Sequence, residues 1–470
     1  MRWIVGVLLL AASPAAFAGP WTEITTRDLD AIYKLIEENH PGPLDTEHPY
    51  FKKWMDEGMV EARRSAATAH NFRDYKRILL TYLTGFRDDH TRVDLLVDAA
   101  RQEWPGFLPR LEEDGAVRVG TTSLPNVREG EKILSCDGLS LADLFKQRVA
   151  PVRWNSDIQS QLHLYFPRTL LIDYGDEDSR LHNCILDDGS GPRTINLEWR
   201  FMSNDAALDA RQHAIGTTVP ELGLRKVDGV WFLSMPSFNY WGSDSVTAFR
   251  DLQKQVEENV DDIRAGVLVL DVRGNRGGIS DWANDIISTI WGREWVDAIN
   301  SRVEEVVDWR ASPSNLARIE SFIKRMDIDG LDTTELKMDR EAMTKALAKG
   351  QPFGRLITPA KPTPMPTSSP FTGRAYFLTD YWCVSACLNF ADMVMRLPKV
   401  AHVGLSTGAD ALFIDTDSAS LPSGMASLTY SNKVYRKQIR GNNEGYEPKY
   451  RWPGGQMTYE SLAAWVLKLP

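Results

Sequence analysis

Residues 266–278 read GVLVLDVRGNRGG. From Val267 to Leu270 every side chain is apolar and two are β-branched, which suits a strand buried on both faces. The segment Asp271-Val272-Arg273-Gly274-Asn275-Arg276-Gly277-Gly278 follows, and a helix is expected to start near Ser280. Glycines at such a strand-to-helix turn let backbone N–H groups face outward at the C-terminal edge of a sheet, beside a helix N-terminus. A turn of this kind can hold a phosphate or an oxyanion. The lysine of a P-loop is missing, and the spacing departs from G-x-G-x-x-G at the second glycine.

Working outward, Val230–Met235 reads as another strand, residues 246–260 as an amphipathic helix and Ala375–Leu378 as a further strand. Strand and helix alternate here, which predicts a mostly parallel sheet covered by helices over residues 219–470. An insertion or lid is expected at about 300–370, a charged helical stretch ending in the Pro-rich segment Pro359–Pro370. Residues 96–218 differ: short apolar runs and turn signals such as Asp187-Asp188-Gly189-Ser190-Gly191 predict a β-rich domain. In residues 19–95, Leu29, Ile32, Tyr33 and Ile36 fall at helical spacing behind a Thr25-x-x-Asp28 start signal. His40-Pro41-Gly42-Pro43 breaks that helix, and a second helical pattern runs from Phe72 to Leu83. This first unit reads as a small helical domain.

The chain opens MRWIVGVLLLAASPAAFAGP: one cation, an apolar run and a small-x-small site at Ala16-Phe17-Ala18. That is the layout of a signal peptide over residues 1–18, and it predicts a periplasmic or secreted protein. No later stretch is long and apolar enough to predict a membrane span. The 470 residues carry a net charge of −10 with no basic run, which argues against nucleic acid as a partner. Four cysteines are too few for a disulfide scaffold. Cys136 and Cys184 can pair in an oxidising compartment, whereas Cys383 and Cys387 flank Ser385; the pairing of all four stays open.

Two more elements carry chemistry. Residues 378–391 read LTDYWCVSACLNFA, a strand running into a helix with Ser385 among small residues at the helix start. A serine there is either an exposed nucleophile, with the next N–H facing an oxyanion, or merely an N-cap. Asp88-Asp89-His90-Thr91 follows the second helix. A lone histidine is usually structural, and no second His or Cys cluster follows at ligand spacing, so a metal is not expected. The other histidines, His40 and His163 among them, stand in uninformative contexts.

Together these three elements resemble the tail-specific (C-terminal processing) and tricorn-core serine protease family. Its members share a D-x-R-x-N-x-G-G turn and a serine-alanine nucleophile turn, and many also carry D-x-H-[ST] after an N-terminal helical bundle. The resemblance implies an α+β multidomain fold: that bundle, a PDZ-like β-rich insert and a Clp protease/crotonase-like α/β core. Residues 127–138, VREGEKILSCDG, resemble the G-x-x-I-x-x-I-x-G passage of PDZ domains. It implies Ser385 as nucleophile, His90 as general base, and an oxyanion hole from Gly277 or Gly278 with the N–H of Ala386. Relatives with a Ser-Lys dyad carry a lysine where this chain reads Gly404-Leu405-Ser406-Thr407-Gly408-Ala409-Asp410, which disfavours that branch. A C-terminal glutamate of relatives aligns with Asn442, with Glu444 two residues on as the competing orienting group. The implied activity is peptide-bond hydrolysis through an acyl-enzyme, without cofactor or metal, on peptide or unfolded-protein substrates. The alternative is a catalytically inactive binding protein of the same fold, similar to interphotoreceptor retinoid-binding protein, carrying an apolar ligand or peptide. Oligomeric state is left open.

Overall fold

The computed structural model describes residues 19–96, 102–112, 114–150, 162–166, 171, 180–239 and 242–470. The signal peptide expected over residues 1–18 lies outside them.

The centre is a six-stranded sheet in the order 223–227, 230–234, 267–271, 374–379, 400–404, 450–451. The first pair is antiparallel and every later pair is parallel. Side chains alternate across a strand, and here both faces are apolar. Trp231, Leu233, Leu268, Leu270, Ala375 and Phe377 enter one core. Val230, Phe232, Val269, Tyr376 and Leu378 enter the other. The helices Ser243–Glu258, Asp281–Trp291 and Ala386–Val394 supply Phe249, Leu252, Ile286, Ile290 and Phe390 to the first core. On the other face the helix Tyr459–Val466 contributes Leu462, Ala463 and Val466. This double cover is why these strands read as continuous apolar runs. It also puts the loops after residues 271, 379 and 404 side by side at one sheet edge.

A second sheet runs beside it in the order 92–95, 426–437, 305–310, 353–358, with 413–420 also paired to 426–437. The region expected as an insertion is thus two strands bracketing the helices Pro313–Asp329 and Thr334–Ala348. Three N-terminal helices, Pro20–Asn39, Tyr50–Ala66 and Phe72–Thr84, pack on this sheet. Their Leu29, Ile36, Phe51 and Leu79 share a core with Phe413, Leu428 and Val434. The first helix begins at Pro20, well before Thr25, whose hydroxyl donates to the Trp21 carbonyl. Proline in the first turn sets the start because it lacks the N–H a helix cannot use there.

The described residues between 107 and 196 hold a separate antiparallel sheet in the order 107–111, 117–122, 132–136, 183–187, 192–196, with 139–140 paired to 132–136, and 102–104 pairs with 200–202 beside it in sequence. A disulfide joins Cys136 and Cys184 across the paired strands 132–136 and 183–187. His163 stacks on Tyr381 at 4.5 Å, tying this region to the loop that bears Ser385.

Candidate active site

The strand Val267–Asp271 ends in a turn that holds itself together. Arg273 makes paired hydrogen bonds to the Asp271 carboxylate at 2.9 and 2.7 Å, and both groups are buried. The Asn275 side chain donates to the Met235 carbonyl at 2.8 Å and accepts from the Gly277 N–H at 2.8 Å. Gly277 has φ +91° and Gly278 has φ +128°, the region that favours glycine. A Cβ on Gly277 would stand 2.8 Å from the Ser385 Cβ and 2.9 Å from the Ala386 nitrogen. The two turns therefore touch.

The neighbouring parallel strand Arg374–Thr379 leads to Ser385, whose φ of 57° and ψ of −130° are unusual for a residue with a side chain. Ser385 occupies the N-cap position of the helix Ala386–Val394, yet its hydroxyl accepts no capping hydrogen bond. The half-buried hydroxyl is thus free of the structural duty that would otherwise explain a serine there. Asp380 steadies the turn by accepting from the N–H groups of Trp382 and Gly274, at 2.9 and 3.0 Å.

His90 arrives from the second sheet, just ahead of the strand Arg92–Leu95. Its turn is built on the buried Asp88. That carboxylate accepts from the His90 N–H at 2.9 Å, the Thr91 hydroxyl at 2.6 Å and the Ser431 hydroxyl at 3.1 Å. His40 completes the set. Its Nδ1 accepts from the Gly42 N–H, which leaves the proton on Nε2, 3.2 Å from Asp88 Oδ2. Burial alone would raise the Asp88 pKa, but the His40 hydrogen bond and the charge of His90 bring it below the ordinary value. His40 itself is held low by burial, against the pull of Asp88.

The third strand end supplies Asp410. Its carboxylate Oδ1 lies 3.4 Å from His90 Nδ1, closer than the 3.7 Å to Asp88 Oδ1. Both His90 Nδ1 and Asp410 Oδ2 are buried without a hydrogen-bond partner. Burial opposes the imidazolium most, but Asp410 and then Asp88 outweigh it, and the His90 pKa is raised. Burial also raises Asp410, against the lowering effects of His90, Arg440 and the Ser385 backbone N–H. No hydrogen bond joins Ser385 to His90 among the described residues. Catalytic hydrogen bonds are commonly loose in unliganded sites and tighten around substrate.

Residues 230–451 match the family described as Peptidase family S41. That span is a peptidase family S41 domain. The chain is a serine-type peptidase, and its substrates are peptides or proteins. The fold is also that of mature CPAF: the two share 14% identity at a TM-score of 0.65, covering 96% of this chain and 97% of that one. Mature CPAF complexed with lactacystin gives a TM-score of 0.64 at 14% identity, covering 96% and 98%. No curated protein matches.

Against this S41 frame the expected site residues divide. Ser385, Gly277 and Ala386 meet at one point, and Gly278 follows directly, but the Gly277 N–H is engaged by Asn275. The expectation for Asn442 needs correction. Its side-chain oxygen accepts from the Leu412 N–H at 3.0 Å, while the carboxylate beside the His90 ring belongs to Asp410. Glu444 is directed elsewhere too, onto the Gly441 N–H. The Asp410 backbone pairs with this same segment, through the Asn443 N–H and a bridge to Glu444. Asp410 and Asn442 are therefore neighbours in space, and the aligned motif pointed one segment away from the carboxylate beside His90. The one available signal was Asp410 itself, closing the stretch Gly404–Asp410.

Proposed function

We propose that this S41 peptidase works through a Ser385–His90–Asp410 triad. The observation that carries the reading is the position of Asp410, whose carboxylate lies 3.4 Å from the His90 ring nitrogen. His90 takes the Ser385 hydroxyl proton as Oγ attacks the peptide carbonyl. The N–H groups of Gly278 and Ala386 receive the oxyanion, aided by the N-terminus of the helix Ala386–Val394. The imidazolium returns its proton to the leaving amine, and water activated by His90 then releases the acyl group.

Export fits this reading. The opening 18 residues have the layout of a signal peptide, and both disulfides belong to an oxidising compartment. Within the second region, the hairpin 132–136/139–140 runs straight into the short helix Leu141–Leu144, which supports a PDZ-like peptide-docking role.

The test is labelling of the purified protein with a fluorophosphonate probe. Wild type should label and Ser385→Ala should not; His90→Ala should label far more slowly. A binding protein of the same fold would label in none of the three, and that result would overturn the catalytic reading.

A further inference from the structure

The Ser385 turn is closed on itself. Cys383 and Cys387 are joined by a disulfide, so Val384, Ser385 and Ala386 lie inside the covalent ring. Both cysteines are fully buried, in the core beneath the central sheet that also holds Ala386 and Phe390.

Ser385 at φ 57° is in a conformation that residues with a Cβ avoid, so its surroundings must impose it. Two glycines confine the turn from either side. A Cβ on Gly277 would stand 2.8 Å from the Ser385 Cβ, and one on Gly408 only 2.3 Å from Val384 Cγ1. Such distances show that the backbone at both glycines lies close against the loop, while the bridge fixes its two ends. A relaxed alternative is available to the same residues. Serine is among the best N-caps, but capping needs extended backbone angles and turns the hydroxyl onto the helix N–H groups. In that state Ser385 Oγ would be engaged by its own helix.

The other disulfide behaves differently. Cys136 and Cys184 are 48 residues apart, so their bridge removes much freedom from the unfolded chain. The Cys383–Cys387 separation is 4, so that bridge constrains the unfolded chain least and acts locally.

We infer that the Cys383–Cys387 bridge is a positioning element of the hydrolase, which holds Ser385 off the capping conformation and makes turnover depend on the oxidised state. The inference rests on Ser385 being the nucleophile. Opening the bridge takes two electrons and two protons from a reductant and leaves two thiols.

The experiment uses the full chain bearing Cys136→Ala and Cys184→Ala, in which the site bridge is the sole disulfide. In one arm Cys383→Ala/Cys387→Ala is added; in the other the parent is reduced with a phosphine and then reoxidised with oxidised glutathione. Bridge status is read by alkylation and mass, and kcat and KM by hydrolysis of fluorescein-casein. Loss of positioning should lower kcat about tenfold or more with KM nearly unchanged, and reoxidation should restore it. A folded, bridge-free enzyme with the parent's kcat would overturn the inference. If the double alanine variant does not fold, the reduction arm decides; if reductant cannot reach the buried sulfurs, the variant decides. Ser385→Ala is assayed alongside. Activity surviving there would sink the nucleophile assignment, a result distinct from an active bridge-free enzyme.

Discussion

Asp410 reaches His90 from the far end of the chain, and its carboxylate oxygen lies 3.4 Å from the imidazole Nδ1. The two residues lie in loops that adjoin strands of different sheets. His90 precedes the outer strand Arg92–Leu95, while Asp410 follows the central strand Val400–Gly404. In the proposed triad, a buried acid there fixes the tautomer and favours the imidazolium that forms as Ser385 loses its proton.

Asp410→Asn should therefore lower kcat by roughly 10²–10⁴ while leaving the fold intact. Asn442→Ala should change kcat only a few-fold, since its amide serves the Leu412 N–H. Steady-state kinetics on the two variants decide between them. If Asn442→Ala is the crippling change, the acid has been misassigned.

The pH dependence follows from the direction of the His90 shift. A raised pKa keeps the imidazole protonated to higher pH, and the protonated ring cannot act as a base. The acid limb of kcat/KM in the wild type should thus lie above the ordinary histidine value of 6.5. In Asp410→Asn burial gains weight and the limb should move to lower pH. The stabilising attraction between His90 and Asp410 follows the same sign: it is complete below 6.5 and is lost as pH rises through the raised value. A limb that stays in place in the variant would show that Asp410 does not govern His90.

Gly277→Ala should be damaging on two counts. The added methyl meets the Ser385 Cβ and the Ala386 nitrogen, and a φ of +91° is strained for alanine. A cost of about 1–3 kcal/mol in stability is expected, together with a fall in kcat of at least about tenfold. Chemical unfolding measures the first and fluorophosphonate labelling the second. Wild-type labelling by Gly277→Ala would mean that the two turns do not have to touch.

His40→Phe keeps the flat ring that stacks on Phe51 at 4.2 Å but removes the hydrogen bond to Asp88. Leaving that buried carboxylate one donor short should cost about 1–3 kcal/mol. The loss should be largest above the ordinary aspartate pKa, because a depressed Asp88 contributes stability there and loses it as the pH falls through its folded value. Urea unfolding at several pH values measures it, and an unchanged midpoint near neutrality would count against His40 as the prop of the His90 turn.

The two glycine and serine turns were legible because local rules shape them: an apolar run, a turn that tolerates positive φ, then a helix. Ser385 was ambiguous in sequence for the same reason, since a nucleophile and an N-cap occupy the same position; only the unengaged hydroxyl separates them. Asp410 and His40 carried no such mark. Neither lies in a periodic pattern, and each acquires its partner only when distant segments pack, His40 on Asp88 and Asp410 on His90. The second sheet was hard to read for a related cause. Its strands 92–95, 305–310 and 426–437 come from remote parts of the chain, and their pairing depends on tertiary contact more than on local preference.

The placement of His90 has a practical meaning for anyone trimming this protein. The span 230–451 that carries the family likeness contains Ser385 and Asp410 but stops short of the histidine, which the N-terminal helical unit delivers. Under the proposed triad, that span expressed alone would be half an enzyme, a nucleophile with no proton acceptor. Complementation by a separately supplied N-terminal fragment would then be measured at the junction held by Asp88, Thr91 and Ser431. Substitutions there would act through the placement of His90 and surface as catalytic defects.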